Sequence, residues 1–206
     1  MFYDRVDAAR QLAEKLGFCR GQNPLVLAIP RGAVGMGRII AQALDGELDV
    51  ILVRKLRAPF QPELAVGAID ENGATIIEDY APVVGADQGY LASEKQAQLD
   101  VIRSRRAQYT PVHAPIPAAG RTVIVVDDGL ATGSTMMAAL RSLKAQNPAR
   151  LICAVPVSPP DTLQKIAPLA DQVVCLETPD NFHAVGQFYV KFPQVDDDEV
   201  MAALRD

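Results

Sequence analysis

The chain has no apolar run of membrane-spanning length, and residues 1–17 mix acids and bases instead of joining a charged start to an apolar core. These absences exclude a transmembrane helix and a secretory leader, and a soluble, cytoplasmic protein is the expectation. Cysteine is scarce. Cys19, Cys153 and Cys175 lack metal-ligand spacing, and two of them sit in apolar, strand-like runs; they read as reduced thiols rather than as a disulfide or a redox pair. A basic excess is missing too: the net charge is −5, which argues against general nucleic-acid binding. Neither nucleic acid nor a membrane is therefore expected as a partner. There is no internal repeat and no low-complexity tract. What remains is an ordinary globular composition, 206 residues with a hydrophobic fraction of 49%, enough for one domain with at most a small appendage that buries about 70% of its unfolded surface.

One stretch organises the chain. Residues 123–135 read VIVVDDGLATGST. Four β-branched residues in a row predict a parallel strand buried on both faces. The run stops at Asp127 and Asp128, passes Gly129 and the small residues Ala131 to Ser134, and enters a helix-forming run over residues 136–145. That is strand, loop and helix, with the loop at the carboxyl end of the strand, where open α/β sheets bind ligands. Thr132, Gly133, Ser134 and Thr135 are small enough for backbone N–H groups at the helix start to surround a phosphate. The two acids repel phosphate and suit neighbouring hydroxyls or Mg²⁺. A ligand with a phosphate and a vicinal diol, such as a ribose 5-phosphate, would use the whole stretch. A Walker loop requires Lys before the Ser/Thr, and position 133 is Gly. The plain alternative is a buried strand ending in an acidic turn and a capped helix.

Around this stretch, strands and helices alternate. Residues 4–17 have helical spacing; residues 25–29 form a strand that runs into Pro30, Arg31 and Gly32 before a helix from about residue 38 to 44. Gly35 and Gly37 begin a dinucleotide spacing, but Ile40 stands where its third glycine belongs. Residues 49–53 predict another strand, with Arg54, Lys55 and Arg57 directly after it, either to neutralise a polyanion or as a solvated basic loop. Residues 58–63 hold two prolines and read as a loop. Residues 65–69 and 74–77 flank Asn72-Gly73, a hairpin signal. A helix with a capping box at Ser93 and Gln96 extends to about Tyr109, with Arg103, Arg105 and Arg106 read as a solvated face or, alternatively, as a phosphate contact across a subunit interface. Residues 111–120 make a linker in which His113 is idle. Strands over 151–157 and 172–176 bracket a helix opened by Pro159 and Pro160. The expected fold class is α/β: a mostly parallel sheet flanked by helices on both faces, with a short antiparallel hairpin. Residues 182–192 concentrate aromatic rings, and Asp196 to Glu199 reads as the acidic first turn of a closing helix.

The central segment resembles the 5-phosphoribosyl-1-pyrophosphate (PRPP) signature of type I phosphoribosyltransferases: a hydrophobic strand, two acids, then a small-residue loop ending in Thr-Gly-x-Thr. The resemblance implies a Rossmann-like core over residues 1–177, with a flexible loop over about 55–64 and a small C-terminal hood over 178–206. It implies transfer of the 5-phosphoribosyl group of PRPP to a nitrogen acceptor, a nucleobase, with release of pyrophosphate and with Mg²⁺ as cofactor. Asp127 and Asp128 would take the ribose hydroxyls and the metal, and Ala131, Thr132, Gly133, Ser134 and Thr135 the 5-phosphate. Arg31, Gly32, Arg54 and Lys55 would hold pyrophosphate, and Phe182 and Phe188 would hood the acceptor or, alternatively, pack the tail or a dimer. Hypoxanthine-guanine members carry Asp at the position of Ala131; adenine-type members have Ala there and an acid in the flexible loop, for which Glu63 is the candidate base. A homodimer in nucleotide metabolism is the family's habit. The layout also resembles predicted bacterial members whose acceptors are not established. Two alternatives stay open. A PRPP-binding regulator would add a nucleic-acid surface or a second domain, and another phosphosugar enzyme would show an Asp-x-Asp pair near a strand end.

Overall fold

The computed structural model describes residues 1–62, 64–109 and 114–205. In chain order its elements are α1 (Arg5–Lys15), β1 (Leu25–Ala28), α2 (Val34–Leu44), β2 (Glu47–Val50), β3 (Val53–Arg57), β4 (Ala65–Asp70) and β5 (Thr75–Ile77). These are followed by α3 (Gln88–Tyr109), β6 (Thr122–Val126), α4 (Ser134–Lys144), β7 (Arg150–Val157), α5 (Pro160–Ile166), β8 (Gln172–Glu177) and α6 (Asp197–Arg205).

The β-branched run lies where its composition requires. β6 is the middle strand of a five-stranded sheet of order β2-β1-β6-β7-β8, and every pairing in that sheet is parallel. Val123 to Val126 are fully buried, and their side chains alternate between two cores. Val123 and Val125 pack with Leu25, Leu27, Met136 and Leu140, whereas Ile124 and Val126 pack with Val26, Ala28, Leu12 and Ile40. Leu12 and Ile40 lie on α1 and α2, and Met136 and Leu140 on α4, so helices cover both faces, as a parallel sheet demands.

A smaller antiparallel sheet, β3-β4-β5, stands beside this layer. The Asn72-Gly73 turn joins β4 to β5 as expected, and Asp70 fixes it by accepting from the backbone N–H of Asn72 at 2.9 Å and of Ala74 at 2.8 Å. β3 departs from expectation. Residues 49–53 are not one strand: β2 ends at Val50, the chain crosses at Ile51 and Leu52, and Val53 to Arg57 pair antiparallel with β4. Arg54, Lys55 and Arg57 thus lie within a strand rather than in a loop after one. The strand tolerates them because only Leu56 of these residues faces the core. Lys55 to Arg57, the start of the stretch expected as a loop, are therefore held in a ladder, and Ala58 N–H closes the following turn on the carbonyl of Leu64 at 2.9 Å.

Two helices begin earlier than expected. α2 starts at Val34 rather than near residue 38. α3 starts at Gln88 rather than near Ser93, because Asp87 accepts from the N–H of Tyr90 at 2.8 Å and supplies the cap assigned to Ser93. The closing helix begins as predicted. Asp196 and Glu199 bond each other's backbone N–H reciprocally, at 2.8 and 3.0 Å. Among the described residues no helix is long and apolar enough to cross a membrane.

Candidate active site

The chain leaves β1 toward β2 and leaves β6 toward β7, in opposite directions across the sheet. Between the carboxyl ends of these two adjacent strands an open α/β sheet forms its ligand crevice. Pro30, Arg31 and Gly32 follow β1 there, and Asp127 and Asp128 follow β6. The Pro30–Arg31 peptide bond is cis.

Asp127 and Asp128 are only partly exposed. Asp127 accepts the backbone N–H of Asp128 at 2.9 Å. Burial, and then the charge of Asp128, push its carboxyl well above the usual carboxylate range. Burial also raises Asp128, opposed by the charge of Arg5, whose Nε and Nη2 lie 2.9 and 2.8 Å from Asp128 Oδ2. Gly32 makes this approach feasible, since a Cβ at that position would stand 2.1 Å from the same oxygen. The Tyr189 hydroxyl donates to the Asp128 carbonyl at 2.7 Å. Gly129 leaves the acids at φ +152°. A Cβ there would meet Val185 Cγ1 at 2.5 Å, so the tail occupies the space that a larger residue would take.

The small-residue loop then turns into α4. Thr162 donates to the carbonyl of Ala131 at 2.7 Å, which holds the loop from behind, and the hydroxyls of Thr132 and Ser134 lie 3.0 Å apart. Gly133 caps α4, whose first turn carries no acid, so its leading N–H groups and the positive end of its dipole face the loop. This loop, Asp127, Lys55 and Val185 line a pocket of about 200 Å³. Lys55 and Thr135 also line a neighbouring cleft of about 370 Å³, together with Ile29, Pro30, Arg54, Arg57 and Arg105. The two cavities thus share a wall. One is floored by a helix N-terminus, and the other is ringed by cations. Burial and then the nearby charges of Arg105 and Arg57 lower the pKa of Arg54, opposed by the charge of Glu94, as expected where like charges converge.

Most predicted residues meet at this crevice. Asp127, Asp128, residues 131–135, Gly32, Arg54 and Lys55 come together around it. Arg31 turns away, with Nη1 3.7 Å from Asp197 on α6. Phe182 and Phe188 stack on each other with centroids 5.2 Å apart and pack against the core; the tail residue between them that reaches the pocket is Val185. Glu63 and His113 lie outside the described residues. The three arginines of α3 do not form one solvated face. Arg103 is exposed beside Asp100, Arg105 lines the cleft, and Arg106 is buried between Asp49 and Glu71. Sequence reasoning missed the place of Arg105 in this cleft, having offered it a solvated face or a phosphate contact across a subunit interface, yet it falls on the helical face of Gln98, Ile102 and Tyr109, the buried residues of α3. Arg5 was missed as well.

No cluster of three or more His, Cys, Asp or Glu residues able to hold a metal is present among the described residues. The three cysteines are free thiols.

The family model for the phosphoribosyl transferase domain matches residues 2–193. The chain is 42% identical over 205 residues to the protein named "Putative phosphoribosyl transferase Rv0571c" of Mycobacterium tuberculosis H37Rv, and to its counterpart in strain CDC 1551. That match covers 99% of this chain and 46% of the relatives, so the chain spans about half their length. Among solved structures it is similar to the protein TT1426 of Thermus thermophilus, with 43% identity, a TM-score of 0.89, and coverage of 99% of this chain and 97% of that one. A match over nearly the whole chain, on a sheet whose crevice joins paired acids to a phosphate-sized loop, makes this chain a member of the phosphoribosyl transferase family.

Proposed function

We propose that this protein transfers the 5-phosphoribosyl group of PRPP to a nitrogen acceptor, a nucleobase, and releases pyrophosphate. The observation that carries the reading is the shared wall of Lys55 and Thr135 between the helix-floored pocket and the cation-ringed cleft. A sugar with a phosphate at one end and a pyrophosphate at the other requires two anion sites one ribose apart, with a diol site between.

In this reading the N–H groups and hydroxyls of residues 131–135 hold the 5-phosphate. Asp127 and Asp128 accept hydrogen bonds from the ribose 2- and 3-hydroxyls. Arg54, Lys55 and Arg105 receive the pyrophosphate as its charge grows, and Gly32 gives the first loop its close approach. Bond breaking at C1 runs ahead of bond making, so the protein's task is to position both ends and stabilise the departing anion. The residues fit a Mg²⁺ that is held partly by substrate: two adjacent carboxylates and, among the described residues, no further acidic ligand suit an ion that keeps waters and phosphate oxygens. When bound there it would screen the pyrophosphate. Glu63 is the candidate base on sequence grounds, and unchanged turnover of Glu63→Gln with the true acceptor would remove it from the mechanism. Val185, with Phe182 and Phe188 behind it, would line the acceptor side. A cytoplasmic homodimer belongs to the same proposal.

Calorimetric titration of PRPP with Mg²⁺ tests the reading. Saturable binding by the wild type that is lost in Asp127→Asn/Asp128→Asn, followed by acceptor-dependent pyrophosphate release, is the expected result. No binding at millimolar PRPP overturns it.

A further inference from the structure

We infer that Arg5 is a positioning residue of the ribose site, which fixes the Asp128 carboxylate and ties it to the C-terminal tail; the inference rests on the PRPP reading above. Arg5 is the first residue of α1, after the Asp4 cap, where the helix dipole disfavours a cation. Something must offset that cost. The guanidinium directs Nε and Nη2 at one oxygen, Asp128 Oδ2, at 2.9 and 2.8 Å. Its Nη1 donates to the carbonyl of Pro193 at 2.6 Å, and its plane lies 3.8 Å over the Phe192 ring.

The pair is not an ordinary surface ion pair of small worth. The two side chains are 15% and 17% exposed, and the bond is charge-assisted and geometrically fixed. Gly32 also stands against Oδ2, where a Cβ would come within 2.1 Å. With Oδ2 engaged by Arg5 and crowded by Gly32, the orientation of the carboxylate is set, and Oδ1 is left as the oxygen to meet a ribose hydroxyl. The tail is part of the same fixture. Phe192 lies 4.8 Å from Tyr189 between ring centroids, and Tyr189 holds the Asp128 backbone carbonyl. One acid is thus gripped at its side chain by α1 and at its backbone by the tail, and Arg5 joins the two grips.

The test is calorimetric titration of ribose 5-phosphate and, separately, of inorganic phosphate into the wild type, Arg5→Met, Arg5→Lys and Phe192→Leu. Supporting groups of this kind are worth about 10–100-fold in affinity. Arg5→Met is expected to lose that much affinity for ribose 5-phosphate while its affinity for inorganic phosphate is unchanged. Arg5→Lys should fall between it and the wild type. Phe192→Leu should weaken ribose 5-phosphate binding, and it should add nothing when combined with Arg5→Met. Should Arg5→Met not fold, Arg5→Lys and Phe192→Leu carry the same comparison between the two ligands. Equal loss of both ligands would make Arg5 merely structural, and wild-type affinity for ribose 5-phosphate in the variants overturns the inference while leaving the PRPP reading intact. A wild type that binds phosphate but not ribose 5-phosphate overturns the PRPP reading itself, and the inference with it.

Discussion

Asp127 is a residue whose proposed ligand-binding role and folding role oppose each other. Its carboxyl favours its proton in the folded protein because burial and Asp128 disfavour the charge. A raised folded pKa contributes stability that is complete below the unfolded value and is lost as pH rises through the folded one. Above the unfolded value the group is therefore a net cost to folding. Asp127→Asn keeps the acceptor for the Asp128 N–H and removes that cost, so its thermal midpoint is expected to lie above the wild type's, by about 2–4 °C for each kcal/mol regained, while PRPP binding is lost. Calorimetric melting beside a PRPP titration reads both. Gly129 poses the opposite case. Gly129→Ala should destabilise by about 1–3 kcal/mol through overpacking against Val185, and Val185→Ala in the same chain should restore part of the loss in urea denaturation. The placement of the two acids and the small-residue loop at the end of β6 was legible in the sequence because residue size and charge act locally. The need for Gly at 129 was not, since the atoms that demand it belong to a residue far along the chain.

The three neighbouring arginines of α3 show what a helix adds that composition does not. Arg103→Ala should alter neither stability nor binding, because its partner Asp100 shares its exposure. Arg105→Ala should leave urea stability unchanged and weaken pyrophosphate binding, measured by calorimetry. Arg106→Ala should cost about 3–5 kcal/mol in urea denaturation, because it leaves the buried Asp49 and the partly buried Glu71 without their counter-charge. Successive helix positions differ by roughly 100° of rotation, which turns three adjacent cations toward solvent, cleft and core. The sequence showed the charges, but not which face α3 would lay on β3. The same limit explains β3. Residues 50–53 are apolar throughout, and nothing in them marks the place where the chain passes from one sheet to the other. β6 was readable for the converse reason: four β-branched residues followed by two acids can be buried only up to the acids.

Across the whole molecule, the tail and the core form one packed unit. Tyr189, Val200 and Leu204 are buried with the residues of α1 and α2, and each contributes about 2 kcal/mol by burial. A chain ending at residue 177 should therefore unfold at lower urea than the full chain and fail to bind PRPP. Phe2 and Tyr189 pair as an isolated bridge, with Phe2 N–H on the carbonyl of Phe188 at 2.8 Å and Val190 N–H on that of Phe2 at 2.9 Å. During synthesis Phe2 and Tyr3 must therefore wait for residues near 190 before they reach their final place. Asp127 and Asp128 emerge long before the segment that steadies Asp128, so under the proposed function a nascent or prematurely terminated chain would carry both acids and the small-residue loop and still be unable to hold the sugar.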